Sequence, residues 1–224
     1  MAATTGRSGA ASCAPTAAGR PYPRPAPAPR PQAPAVQPAS TPLAPANLWS
    51  AVAKAAPPNA LWVSEGGSNE TVIVDCIRPG QRLSHLSAAG GGLGYGLPAA
   101  VGAQLAAPDR PVVAAMGDGS MHYAITALWT AARYEIPITV VVASNAEYGV
   151  LKEFGFIEQT PGVPGLDLPG LDVVGTAASY GVDAHEAHSA DEVTELVRAG
   201  IADRQRPTLI NCATETVEAA ARTS

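Results

Sequence analysis

Two polar positions, Asp118 and Asn145, stand in surroundings that suit a hard cation and a phosphate. Asp118 is enclosed in Met116-Gly117-Asp118-Gly119-Ser120, and Asn145 opens Asn145-Ala146-Glu147-Tyr148-Gly149. A carboxylate, an amide oxygen and nearby backbone carbonyls match Mg²⁺, which holds octahedral geometry and completes its shell with phosphate oxygens and water. The glycines and Ser120 allow close backbone approach and offer donors to phosphate where a helix begins. A lone Gly-Asp-Gly more often marks only a turn with a capping aspartate. The second polar segment, 27 positions on, is what makes this one a candidate site.

Both segments need elements to position them. Pro111-Val112-Val113-Ala114-Ala115 and Ile138-Thr139-Val140-Val141-Val142-Ala143 read as buried strands. An amphipathic helix from about Tyr123 to Tyr134 joins them, so Asp118 and Asn145 fall at carboxyl ends of two strands. Open parallel sheets place ligand crevices outside those ends. Upstream, a short helix over 44–56 precedes a strand over 60–64. Glu65 to Glu70 forms a turn into a helix through Cys76, and Leu83-Ser84-His85-Leu86 is a brief strand. Downstream, Asp172 caps a helix ending at Gly181, Ser189-Ala190-Asp191-Glu192 makes a capping box for a helix through Arg204, and Thr208–Ala213 is the last strand. His185 and His188 are expected past the strand that precedes that helix. The alternation predicts an α/β fold, an open parallel sheet with helices on both faces.

Gly90-Gly91-Gly92-Leu93-Gly94-Tyr95-Gly96 offers dinucleotide-like glycine spacings before a helix over 95–106. That fingerprint wants an acidic residue ending the next strand, outside any glycine turn. Asp118 ends the strand but is flanked by glycines. A dehydrogenase therefore stays an alternative rather than the leading reading.

Taken together, Gly-Asp-Gly-Ser at 117–120 and Asn145 followed by Ala-Glu-Tyr-Gly resemble the metal-and-diphosphate motif of thiamine diphosphate (ThDP) enzymes. The resemblance spans about 44–216, the size of the carboxy-terminal cofactor domain. Residues 88–100, 127–132 and 164–170 are most similar to benzoylformate decarboxylases. It implies that Asp118 and Asn145 bind Mg²⁺ through side chains and Glu147 through its carbonyl. Gly119 and Ser120 would contact the diphosphate, while Tyr123, Tyr148, Gly149, Val150 and Leu151 line the cofactor. Leu93 would wedge under the bent cofactor, and the carbonyl of Gly91 would face its exocyclic amine. Phe154 would face substrate. The residues alone also allow Leu93 and Phe154 to be ordinary core, and His122 to be a solvated cap residue. Three positions depart from the pattern. Ser144 replaces an asparagine, Glu147 replaces a smaller residue whose place a carboxylate would crowd unless it points outward, and Ser87 replaces an aromatic.

Charge and composition narrow the partners. Residues 1–45 hold four arginines, no acid and 11 of the 22 prolines; the rest holds ten Lys and Arg against 19 Asp and Glu, a net of −9. An acidic folded part argues against nucleic acid, and no apolar run is long enough to span a bilayer. Residues 1–43 are expected to be a disordered Pro/Ala-rich linker, 44–216 the folded domain, and 217–224 a frayed tail. Cys13, Cys76 and Cys212 follow no metal spacing and suit reduced thiols in a cytoplasmic protein.

Enzymes of this family decarboxylate 2-oxo acids, with the cofactor as electron sink. They activate it with a glutamate from an amino-terminal domain, presented across a subunit interface. No stretch of this chain is a candidate for that domain, so no catalytic residue is assigned. The expectation is a ThDP- and Mg²⁺-binding domain of an oligomeric 2-oxo acid decarboxylase that needs the amino-terminal domain or subunit. The alternatives are an acetolactate synthase-type carboligase fragment and a non-catalytic cofactor-binding remnant.

Overall fold

The structure, a computed structural model, describes residue 34, residues 42–77 and residues 83–217. The expected linker over 1–43 and the tail over 217–224 lie almost wholly outside these residues. Six strands form one sheet: β1 (Leu61–Glu65), β2 (His85–Ser87), β3 (Val112–Gly117), β4 (Ile138–Ser144), β5 (Asp183–Ala187) and β6 (Thr208–Ala213). Their order is β2-β1-β3-β4-β6-β5 and every pairing is parallel. The helices are α1 (Pro45–Ala55), α2 (Glu70–Cys76), α3 (Gly96–Ala106), α4 (Asp118–His122), α5 (Ala127–Arg133), α6 (Gly149–Ile157), α7 (Val173–Ser179) and α8 (Ala190–Ala202).

Strand periodicity divides the core in two. Val63, Val112, Ala114, Met116, Val140, Val142 and Leu209 point to the face covered by α3, α5 and α7, where Leu97, Leu128 and Ala177 meet them. Trp62, Val113, Ala115, Val141, Ile210 and Cys212 point to the other face, packed by Leu48 and Trp49 of α1, Ile73 of α2 and Val197 of α8. Strands buried on both sides read as continuous Val/Ala/Ile runs, which is why the central strands are plain in the sequence. Leu43 extends the folded part upstream. Its N–H donates to the carbonyl of Ala213, and it bridges to Thr214.

The order of the strands creates the crevice. After β1 the chain moves outward to β2, then crosses back over β1 to β3 and continues the other way. The connections leaving β1 and β3 therefore turn to opposite faces, opening a gap at their carboxyl ends, where open α/β sheets take ligands.

Two expectations change. The helix expected over 123–134 is shortened to α5, and residues 123–126 are turns that follow α4. Residues Tyr123, Ala124, Ala127 and Leu128 donate to carbonyls three positions back, so tight turns separate α4 from α5. Asp118 thus begins α4 itself. His185 lies within β5 rather than past it. Helix α6 has no counterpart in the periodicity reading, because Leu151, Phe154, Phe156 and Ile157 face outward.

Candidate functional site

Three strand ends meet in one cleft: Gly66–Asn69 after β1, Gly117–Ser120 after β3 and Asn145–Gly149 after β4, with Leu93 as the fourth wall. Asp118 is 3% exposed. Its Oδ1 accepts from the N–H of Gly119 at 2.8 Å and its Oδ2 from the N–H of Ala146 at 2.8 Å, which ties the end of β3 to the loop after β4. Burial pushes its carboxyl above the usual carboxylate range, and those two N–H groups pull part of the way back. No lysine or arginine pairs with it among the described residues. A buried carboxylate in that state favours a cation beside it.

The other donors suit a hard ion. Asn145 Oδ1 takes only a long 3.3 Å bond from the N–H of Glu147. Asn69 is buried in the cleft wall, and its Oδ1 has no hydrogen-bond partner among the described residues. A Cβ built on Gly149 would lie 2.7 Å from Ser68 Oγ and 3.2 Å from Asn145 Nδ2; one on Gly119 would lie 2.7 Å from the Tyr148 ring. Glycine is what lets these loops close on one another. Among the described residues no group of three or more His, Cys, Asp or Glu side chains is placed to hold a metal ion by itself. A single carboxylate with amide and carbonyl oxygens fits an ion such as Mg²⁺ that draws its remaining ligands from phosphate and water. The residues present therefore fit a diphosphate with its cation.

Leu93 separates this cleft from a second cavity of about 350 Å³, lined among others by Ser64, Glu70, Ser87, Gly91 and Val150. At 37% exposed it is not ordinary core. Its turn is held from below by Glu65, a buried carboxylate that accepts from the N–H of Gly94 at 2.8 Å and from the N–H of Gly96. Gly91 and Gly94 have positive φ, of 71° and 98°, which only glycine adopts without strain. Beside the cavity, Ser64 donates to Glu70 Oε1 at 2.5 Å and lies 2.7 Å from His85 Nε2. Since the hydroxyl proton goes to Glu70, His85 must carry its proton on Nε2 and donate to Ser64. Burial lowers the basicity of His85, and the nearby Glu70 raises it in part.

The Glu147 carboxylate does not crowd the cleft. Its Oε2 pairs with Lys152 Nζ at 2.6 Å and its Oε1 accepts from the N–H of Val217 at 2.7 Å. Lys152 also reaches Asp167 at 2.6 Å, and both carboxylates raise its basicity. Ser144 turns into the sheet and donates to Asn211 at 2.6 Å.

Most residues named by resemblance gather here. Leu93, Asp118, Gly119, Ser120, Asn145, Glu147, Tyr148, Gly149 and Val150 line the cleft, and Gly91 the adjoining cavity. Tyr123 stands at the rim, its Cβ 3.5 Å from a Cβ built on Gly94. Desolvation and a hydrogen bond with Tyr123 push the Tyr148 phenol up. Leu151 and Phe154 are about half exposed on α6, outside both linings, so Phe154 is not core either. His122 is not a solvated cap: its Nε2 is buried without a hydrogen-bond partner among the described residues. The first wall, Gly66–Asn69, and the Glu65 anchor had appeared only as a turn. The signal available is a second acidic-then-glycine strand end, Glu65-Gly66, meaningful once β1 is known to adjoin β3.

A model of the thiamine pyrophosphate enzyme C-terminal TPP-binding domain matches residues 66–212. The chain is 41% identical over 199 residues to benzoylformate decarboxylase of Pseudomonas aeruginosa, covering 89% of this chain and 38% of that protein. It is 35% identical over 155 residues to a putative acetolactate synthase large subunit of Mycobacterium tuberculosis, covering 66% of this chain and 30% of that one. Among solved structures, the ThDP-dependent 4-hydroxybenzoylformate decarboxylase of Rhodococcus jostii RHA1 superposes with a TM-score of 0.78 at 41% identity, over 81% of this chain and 34% of that one. Benzoylformate decarboxylase of Polynucleobacter necessarius gives 0.75 at 34% identity, over 79% and 34%. The chain thus spans about a third of the length of these relatives. With a matching domain model, close relatives and a cleft built as the motif requires, the chain belongs to the thiamine pyrophosphate enzymes and carries their C-terminal TPP-binding domain.

Proposed function

We propose that this domain holds ThDP and Mg²⁺ for a 2-oxo acid decarboxylase of the benzoylformate decarboxylase type. The observation that carries the reading is the buried Asp118 carboxylate, without a cationic partner among the described residues, at the point where three parallel strand ends converge. Asp118 and Asn145 would bind the cation through side chains and Glu147 through its carbonyl. Gly119, Ser120 and Ser68 face the place a diphosphate would take. Leu93 would prop the cofactor between the two cavities, with the Gly91 carbonyl toward its amine and Tyr123, Tyr148, Gly149, Val150 and Leu151 around it. Bound ThDP supplies an electron sink for loss of CO₂ from a 2-oxo acid. This chain's share is to bind, orient and exclude water. Phe154 would meet substrate from α6.

The domain would run over 44–216, after a linker and before a short tail. An amino-terminal domain or subunit would contribute the activating glutamate within an oligomer. The thiols of Cys76 and Cys212, both buried, support a reducing compartment such as the cytoplasm. No helix among the described residues is long and apolar enough to cross a membrane.

Calorimetric titration with ThDP, with and without Mg²⁺, tests the reading. Mg²⁺-dependent binding that disappears in Asp118→Ala supports it; NADH binding in place of ThDP would overturn it. The acetolactate synthase-like relative favours a carboligase as the second reading. Supplying the amino-terminal domain separates the two: a decarboxylase releases CO₂ and free aldehyde, whereas a carboligase joins the acyl unit to a second carbonyl compound. CO₂ release with neither domain-dependence nor cofactor-dependence would sink both.

A further inference from the structure

Glu147 has two separate attachments. Its backbone follows Asn145 and Ala146 in the cation loop, and Ala146 is bonded to Asp118. Its side chain leaves the cleft and is 5% exposed, held by Lys152 on one oxygen and by the N–H of Val217 on the other. Lys152 continues the chain of contacts to Asp167. The same loop is laced to residues 166–168 through the backbone. The N–H of Tyr148 donates to Leu166 at 2.8 Å, the N–H of Leu168 donates to Ala146 at 2.8 Å, and Glu147 bridges Asp167. Leu168 in turn reaches over Gly119, since a Cβ there would lie 3.1 Å from its Cδ1. Val217 packs over Gly149, where a Cβ would lie 2.8 Å from its Cγ2.

We propose that Glu147 is a positioning residue, a clasp that binds the cation loop to two straps, residues 161–171 and residues 214–217, so that filling the cation–diphosphate site and closing both straps are one event. The coupling rests on the cofactor reading above. Its physical basis is short. A peptide unit is rigid, so fixing the Glu147 carbonyl on a cation restricts the Cα from which its carboxylate reaches Lys152 and Val217. Two ligands that order the same group assist each other, and the assistance is reciprocal. The second strap is also anchored to the sheet edge independently of Glu147. Thr214 donates its N–H to Ser144, and Glu215 donates to Leu43.

The test is amide hydrogen exchange on the full chain, wild type and variants, each with and without Mg²⁺ and ThDP, alongside calorimetry. The amides of Val217 and Leu168 are the reporters. Glu147→Gln keeps the shape and removes the charge; Lys152→Met removes the shared cation; Lys152→Arg restores it. The expected result is at least tenfold faster exchange at both reporters in Glu147→Gln and Lys152→Met, with β3 and β4 unchanged and recovery in Lys152→Arg. Mg²⁺ and ThDP should slow both reporters in wild type and have a much smaller effect in Glu147→Gln. Unchanged exchange in the variants, or loosening of one strap without the other, overturns the clasp. A wild-type chain that binds no ThDP overturns the cofactor reading and with it the coupling, while exchange without ligand still decides whether the clasp exists.

Discussion

At Asp118 one proton and one cation compete for the same oxygens. Because burial raises its carboxyl pKa, the folded state takes up a proton at higher pH than the unfolded chain does. Above the raised value the ionised carboxylate costs the unliganded fold some stability, and the cost is relieved as pH falls through it. A bound cation reverses the preference. Mg²⁺ affinity should therefore drop about tenfold per pH unit once pH is below the folded pKa, as expected for one competing proton. Melting curves with and without Mg²⁺–ThDP should converge on acidification. A gap that widens toward low pH would show that Asp118 is not the ligand. Glu65 offers a second case, since its two oxygens satisfy two N–H groups of the Leu93 turn. Glu65→Gln sets an amide N–H₂ against one of them, leaving a buried donor unmet at a cost of roughly 1–3 kcal/mol. Urea unfolding should show that loss, and ThDP should bind more weakly because its prop is loosened. Weaker folding with unaltered ThDP affinity would confine Glu65 to a structural role.

Among the elements, what a sequence reveals depends on whether the signal is local. The central strands were legible because each is a Val/Ala/Ile run buried on both faces, and β6 falls over the residues expected of it. The caps of α7 and α8 were legible too: Asp172 accepts from the N–H of Gly175, and Ser189 from that of Glu192. Glu192 then reaches the N–H of His188 instead of Ser189. The break between α4 and α5 was not legible, since nothing in the apolar spacing marks where bonds shorten from four residues to three. Nor was the contact of Ser64 with His85, which exists only because β1 and β2 pair in parallel with Ser64 beside Ser87 and Trp62 beside His85. That Asp118 and Asn145 line one cleft was legible because each sits in a short motif at a strand end; that Gly66–Asn69 joins them was not, because its membership depends on strand order. Gly149 shows how tightly these ends converge. In Gly149→Ala the new methyl meets Ser68, Asn145 and Val217 together. Overpacking of that kind costs about 1–3 kcal/mol. Thermal melts should show it, together with loss of Mg²⁺-dependent ThDP binding. Normal binding in this variant would mean that the loops open further than their packing suggests.

At the scale of the molecule, an apolar surface beside the cleft has no cover among the described residues. Leu151, Phe154, Phe156 and Ile157 of α6 are 48%, 55%, 60% and 71% exposed, and Tyr123 at the rim is 59% exposed. Scattered apolar residues need no explanation, but a cluster along one helix next to a ligand site marks a surface that meets something else. Under the function proposed above, the amino-terminal domain or subunit that completes the site would sit on this surface. Adding the separately produced amino-terminal part of a benzoylformate decarboxylase should protect the α6 amides from exchange and produce ThDP-dependent CO₂ release from a 2-oxo acid. Phe154→Asp should abolish both effects. Because Phe154 is largely solvent-facing in the isolated chain, the same change should leave its stability within about 0.5 kcal/mol. That contrast separates an interface from a core. A large drop in melting temperature would return Phe154 to a packing role, whereas full complementation by Phe154→Asp would place the partner on some other face.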